Sequence, residues 1–320
     1  MNIFKAIGLK LASVLFFTVM QAMVRAVGQV TPVGEVVFFR SLFAVVPVFV
    51  IYAFRRELKS AIYTKRPFGH IGRGALSVCG MFSNFASLAR IPLADSTAIN
   101  FASPLITVAL AAWILKEKVR VYRWSAVAIG FIGVIVMLVP HFDFSRPGTA
   151  ALAVTTAGTI FAVLAAFFNG CTVIQTRRLT SSETTPSIVF YFSLSCALAG
   201  AVTLPFYWHT PTLPELAMLI GCGILGGCAH LMLTESYRFA SASLLAPFDY
   251  SAMLWAVLFG WWLFGELPTP VVFVGAFIVV GAGLFVIWRE RQLGLERKRA
   301  QEEHKKGPPT ATSPFSSGTP

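Results

Sequence analysis

The stretch LITVALAAWILKE, Leu105 to Glu117, returns 149 residues later as LWAVLFGWWLFGE, Leu254 to Glu266, with Leu105, Val108, Trp113 and Glu117 matched by Leu254, Val257, Trp262 and Glu266. Each copy closes a long apolar run on a single glutamate, and another apolar run follows at once. The surroundings of the two glutamates differ. Glu117 stands among Lys116, Lys118, Arg120 and Arg123, whereas Glu266, between Gly265 and Leu267, has no basic neighbour. Lysine and arginine collect on the cytoplasmic side of a membrane. One unit used twice, the second copy inserted upside down, accounts for both facts, and inverted repeats of this kind recur in secondary transporters.

The composition agrees. With 56% apolar and only 12% charged residues, the chain lacks the charge that the surface of a soluble fold needs. It reads as an all-α integral membrane protein. The net charge of +12 does not indicate nucleic acid, because the basic residues fall in short clusters between apolar runs and in the last thirty residues. Cys79, Cys171, Cys196, Cys222 and Cys228 all lie inside apolar runs without CxxC spacing or a histidine cluster, so they are read as reduced packing residues, and no metal or cofactor is expected.

A span needs roughly 20 apolar residues to cross about 30 Å of hydrocarbon. Ten runs qualify, the first near Ile7 to Arg25 and the last near Thr269 to Trp288. The spacing predicts ten transmembrane helices as two inverted five-helix repeats: residues 1–140, a linker at 141–149, and residues 150–288. The basic segment 289–320, rich in Ser, Thr and Pro after Gly307, is expected to be a disordered cytoplasmic tail. With both termini placed in the cytoplasm of an inner (plasma) membrane, 22 of the 26 Lys and Arg residues lie on the inner side, three (Arg25, Arg90, Arg146) lie outside, and Arg40 lies within a span. That bias fixes the orientation. An odd number of spans per half then requires the halves to be inverted.

Enzymatic readings find little support. The three aspartates, Asp95, Asp143 and Asp249, form no DxxxD pair, and neither a GxSxG motif nor a GxxxxGK phosphate loop is present. Transport by gradient or exchange is the default. A membrane-embedded structural or sensory protein is the rival reading, which a ligand-dependent flux in proteoliposomes would exclude.

Charges inside spans carry most information, since an ionised group at mid-bilayer costs at least about 2.5 kcal/mol unless it finds water or a partner. Arg40 falls about 12 Å into the second span, and Asp249 about 10 Å from the inner end of the ninth, at 1.5 Å per residue. Arg40 is read either as a ligand for an anionic group or as the partner of Glu35 in a buried ion pair. Asp249, helped by Glu235, would attract a cationic group. Asn84, Asn100 and His230 would supply hydrogen bonds, and Phe39, Tyr250 and Trp255 would stack on an aromatic portion. Polar and small residues at helical spacing give four inward faces: Ser77, Gly80, Asn84 and Ser87; Asn100, Ser103 and Thr107; Asn169, Thr172 and Thr176; Gly227, His230 and Thr234. Such stripes line cavities or mediate close helix packing. Glu117 and Glu266, at the ends of their spans, are expected to be interface caps rather than substrate ligands.

Several motifs resemble the EamA-type branch of the drug/metabolite transporter superfamily. They are Phe38-Phe39-Arg40, the run from His70 to Gly74, the run from Ile91 to Asp95 leading to Pro104, Glu117, the run from Ala246 to Tyr250, and the final Phe264-Gly265-Glu266. The Phe-Phe-Arg and Pro-Phe-Asp-Tyr patterns look most like bacterial uptake carriers for S-adenosylmethionine and for riboflavin. The resemblance implies two five-helix repeats around a central cavity that opens to each side in turn. A small organic metabolite, zwitterionic or with an aromatic part, is the expected substrate and the lipid bilayer the expected surroundings. Homodimerisation is left open.

The charge bias and the glutamate pair generate a direct test. Lys118→Cys and Leu267→Cys, each on a cysteine-free background, should react with an impermeant thiol reagent from opposite sides of the membrane; reaction of both from one side contradicts the inverted arrangement.

Overall fold

The computed structural model describes residues 3–54, 63–114, 121–139, 150–179, 182–239 and 245–305. The helices in chain order are α1 (Ile3–Val27), α2 (Val33–Phe54), α3 (Pro67–Leu88), α4 (Leu93–Asn100), α5 (Ala102–Ile114), α6 (Val121–Leu138), α7 (Ala150–Leu179), α8 (Thr185–Thr203) and α9 (Leu213–Phe239). A 3-10 turn at Ala246–Tyr250 then leads into α10 (Ser251–Phe264), and α11 (Pro270–Lys305) closes the order. Six apolar segments are long enough to cross a membrane, and three shorter apolar helices accompany them among the described residues. Glu117 and its neighbours Lys116, Lys118 and Arg120, the linker at 141–149 and the end of the tail from 306 lie outside the described residues.

Polarity is inside out relative to a soluble fold. Large apolar side chains such as Val202, Phe273 and Phe277 are exposed, while Lys10, Glu35, Arg40 and His70 are buried. A backbone in hydrocarbon must satisfy its own hydrogen bonds, and helices do so within one segment. Two apolar clusters hold the bundle. One joins Met20, Val24, Val36, Met81, Leu88, Cys196 and Leu219; the other joins Ala98, Leu105, Val134, Ala166, Ala276 and Val279. At the contact of α6 with α11 the backbones come so close that a Cβ on Gly133 would lie 2.8 Å from the Gly275 carbonyl oxygen, and one on Gly275 would lie 2.6 Å from that of Gly133. Only glycine permits this approach.

The packing follows a crosswise pattern. As α1 lies against α9, α3 lies against α7; as α2 lies against α9, α8 lies against α3; and as α5 lies against α7, α10 lies against α1. Two further contacts join α2 with α8 and α6 with α11.

The structure departs from the sequence-based expectation at three places. The fourth run is not one continuous helix: it breaks at Phe101 between α4 and α5. Pro104 has no N–H to give the Asn100 carbonyl, and its ring crowds the preceding turn. The ninth run is likewise interrupted, entering α10 through the short turn that contains Pro247. Finally, α11 continues to Lys305, so the first part of the segment expected to be disordered is helical. Arg, Glu, Gln, Lys, Leu and Ala dominate residues 289–305, and these lose little side-chain freedom in a helix.

One ion pair ties the two halves together at the end of the bundle opposite the N-terminus. Gly265 adopts φ +65°, and the Glu266 amide bonds back to the Gly260 carbonyl, ending α10 in a left-handed cap. That turn aims Glu266 at Arg25, whose Nε donates to Oε2 at 3.1 Å and whose second nitrogen pairs with Oε1. The third nitrogen donates to the Leu88 carbonyl oxygen at 2.7 Å. Thus the ends of α1, α3 and α10 share one guanidinium. Glu266→Gln should destabilise the solubilised protein by about 3 kcal/mol, because an uncompensated charge remains in a poorly hydrated site. The double change Arg25→Met with Glu266→Leu should cost much less than the sum of the two single changes in thermal unfolding; simple additivity contradicts the pair.

Candidate functional site

A cavity of about 260 Å³ lies within the bundle between α1, α2, α3, α7, α8 and α9. Arg40 reaches it from α2, Arg73, Ser77 and Asn84 from α3, Asn169 and Thr172 from α7, and His230 from α9. Phe17, Phe85 and Phe192 supply ring faces. Helical spacing explains the shared direction of Ser77, Gly80 and Asn84, three or four residues apart on α3.

Arg40 is 3% exposed. One of its nitrogens faces His230 Nε2 at 3.4 Å. A guanidinium only donates, so this contact requires the lone pair on Nε2 and hence a neutral imidazole with its proton on Nδ1. The Nε and Nη1 groups of Arg40 have no hydrogen-bond partner among the described residues. Arg73, by contrast, is anchored: its Nε donates to Thr176 Oγ1 at 2.8 Å and its Nη1 to the Ile188 carbonyl oxygen at 3.1 Å. The Phe192 ring lies between the two cations, its centroid 5.6 Å from the Arg40 guanidinium carbon and 5.3 Å from that of Arg73. Ring faces attract cations. The ring therefore relieves part of the repulsion between like charges without neutralising either, and no carboxylate is among the residues that line the cavity.

An amide relay closes another wall. Asn169 donates to Asn100 Oδ1 at 3.3 Å, and Asn100 donates to Asn84 Oδ1 at 3.0 Å. Asn100 also donates to the Ser96 carbonyl oxygen at 3.1 Å. It sits at the C-terminal end of α4, where the helix breaks, and backs the cavity rather than lining it.

Of the residues singled out in the sequence, the structure brings Arg40, Ser77, Gly80, Asn84, Asn169, Thr172 and His230 to the cavity, with Asn100 one hydrogen bond behind. The others lie elsewhere. Asp249 pairs with Lys10, Oδ1 to Nζ at 2.6 Å. Tyr250 meets Phe101 edge to face at 5.3 Å and presses its hydroxyl against Gly283. Phe39 packs with Phe38 and Phe43, and Trp255 stacks on Phe259. Glu235, near the end of α9, is not among the lining residues. Glu35 does not pair with Arg40; its Oε2 accepts from the His209 backbone N–H at 3.1 Å. Arg73 was counted in the sequence as an interfacial charge, Gln21 only as a polar interruption of the first apolar run, and Phe17 and Phe192 carried no signal beyond apolar periodicity.

The EamA-like transporter family matches residues 4–139 and again residues 156–288. The chain belongs to the EamA-like transporter family. Among curated relatives, the S-adenosylmethionine uptake transporter of Rickettsia bellii is 32% identical over 260 residues, 81% of this chain and 84% of that one. The riboflavin transporter of Rhizobium johnstonii is 32% identical over 242 residues, 75% of this chain and 76% of that one. The pseudopaline exporter of Pseudomonas aeruginosa is 27% identical over 271 residues, covering 83% and 90%. A solved crystal structure of another protein covers 90% of this EamA-like chain and 98% of its own, with a TM-score of 0.61 at 17% identity. At that identity the likeness bears on the fold alone.

Proposed function

We propose that this transporter carries a small metabolite bearing a carboxylate and a flat heterocyclic part, with S-adenosylmethionine the first candidate. The observation that carries the reading is the unpartnered guanidinium of Arg40, buried beside a cavity that holds a second guanidinium and no acid. Burying such a charge is costly unless a counter-charge arrives. A carboxylate supplies it, in short charge-assisted bonds. The rings of Phe17, Phe85 and Phe192 offer faces for a heterocycle, and Asn84, Asn169 and Gln21 offer hydrogen bonds to its edge. The relatives named for S-adenosylmethionine and for riboflavin are both 32% identical to this chain, and the lining of the cavity favours the first. Riboflavin has no carboxylate to meet Arg40.

The same proposal makes the protein an inner-membrane secondary transporter of ten spans, built as two inverted five-helix repeats with both termini cytoplasmic. Three observations support the repeat. The family matches the chain twice; the helix contacts pair crosswise between the halves; and Phe101 and Tyr250, 149 residues apart like the two glutamates, touch each other. Equivalent residues of two repeats can meet only near the axis that relates them. Both belong to interrupted helices, and interrupted helices in corresponding positions mark the binding region of transporters. The cavity lies just below the roughly 300 Å³ at which ligand pockets begin. A nucleoside-sized ligand therefore requires helices to part, as alternating access provides.

Reconstituted into proteoliposomes, the protein should exchange labelled S-adenosylmethionine, with competition from S-adenosylhomocysteine and little from adenosine or riboflavin. Arg40→Gln should reduce exchange about tenfold or more, the loss expected for a charged hydrogen bond, while thermal unfolding without ligand changes little. Equal competition by adenosine, or full activity of Arg40→Gln, contradicts the assignment.

A further inference from the structure

Glu35 and Glu183 stand 148 residues apart. Glu35 lies in the first turn of α2, and Glu183 lies two residues before α8. On the repeat reading these are the second helices of their halves. Each carboxylate reaches across to the segment that enters the third helix of the other half. Glu183 Oε1 accepts from the backbone N–H groups of Lys65 and Arg66, both at 2.8 Å, and from Thr64 Oγ1 at 3.1 Å, just before α3. Glu35 Oε2 accepts from the His209 N–H at 3.1 Å, just before α9. One contact lies at each end of the bundle.

The two contacts are unequal. The Arg66 side chain does not cap α3, and the Glu183 carboxylate takes the Lys65 and Arg66 amides that lead into it. The entry to α9 caps itself, with the Thr212 N–H donating to Glu215 Oε2 at 2.7 Å. Glu35 takes the His209 amide, and its Oε1 has no partner among the described residues although the residue is fully buried. Burial raises the Glu183 carboxyl, yet the donors at Lys65, Thr64 and Arg66, with His70 beside them, hold it below the usual carboxylate range.

We propose that Glu35 and Glu183 are positioning residues for the transport cycle, a matched pair of latches that close opposite ends of the cavity in turn. The proposal rests on the alternating-access reading above. A carboxylate at a helix start is favoured by the oriented N–H groups. Its bonds are replaced by water when the end opens, so the latch is reversible. In this structure the Glu183 latch is complete and the Glu35 latch half made, which fits a molecule closed at the Glu183 end and ready to exchange bonds at the other.

The test uses Ser77→Cys, a cavity position, in full-length protein from which the five native cysteines have been replaced. An impermeant maleimide is added to right-side-out and to inverted vesicles, and the ratio of labelling rates is read. Glu183→Gln should shift that ratio at least threefold toward the Glu183 end, and Glu35→Gln should shift it toward the opposite end. Retained ligand-induced thermal shifts in both variants show that the fold and the cavity survive. If either glutamine variant does not fold, the corresponding aspartate variant, which shortens the reach but keeps the charge, should shift the ratio in the same direction. Wild-type labelling from both sides with no shift in the variants, or shifts in the same direction, overturns the latches and leaves the transport reading standing. Labelling of the wild-type background from one side only, with and without S-adenosylmethionine, overturns alternating access and the latches together.

Discussion

A guanidinium in the middle of a membrane bundle, with two of its three nitrogens unpartnered, is the constraint around which this structure is arranged. In hydrocarbon a charge must be hydrated, paired or anchored. The protein does the last two of these elsewhere. It anchors Arg73 on Thr176 and the Ile188 carbonyl, pairs Arg25 with Glu266, and pairs Lys10 with Asp249. At Arg40 alone among these four does it provide only a neutral imidazole and a ring face. The unpartnered nitrogens are buried beside the cavity that Arg40 lines, and the proposed transport function gives a reason for leaving them to a ligand.

The helix breaks belong to the same logic. A continuous helix satisfies its backbone completely and offers nothing to a ligand. At Phe101 the chain turns between α4 and α5, and there Asn100 links Asn84 on α3 to Asn169 on α7. Three helices thus share one polar chain, so a shift of α4 alters the wall of the cavity directly. The Phe101 ring touches Tyr250 in the turn that interrupts the ninth run.

Much of this was legible in the sequence, and what was not has identifiable physical causes. Membrane class followed from the apolar composition, and the matched glutamate endings suggested the inverted repeat that is proposed above. Arg40, Asn84 and His230 stood out because polar groups within apolar runs are costly. Arg73 did not, since six residues from the start of α3 it looked like a charge within reach of the interface. Lys10 and Asp249 were assigned to different roles because their contact joins positions 239 apart in the chain. Glu35 and Glu183 take backbone N–H groups as partners, and a backbone donor has no sequence signature. The interruption at Phe101 fell inside a run long enough to read as one span, with Pro104 its visible cause.

The account is tested most directly by measuring how ligands stabilise the solubilised protein, because a ligand that binds the folded state raises its apparent stability. S-adenosylmethionine and its carboxyl methyl ester would be compared on the wild type and on Arg40→Gln. The account predicts a concentration-dependent rise in melting temperature with the free acid on the wild type, a markedly smaller rise with the ester, and little difference between the two ligands on Arg40→Gln. Equal stabilisation by acid and ester on the wild type would contradict the role given to Arg40.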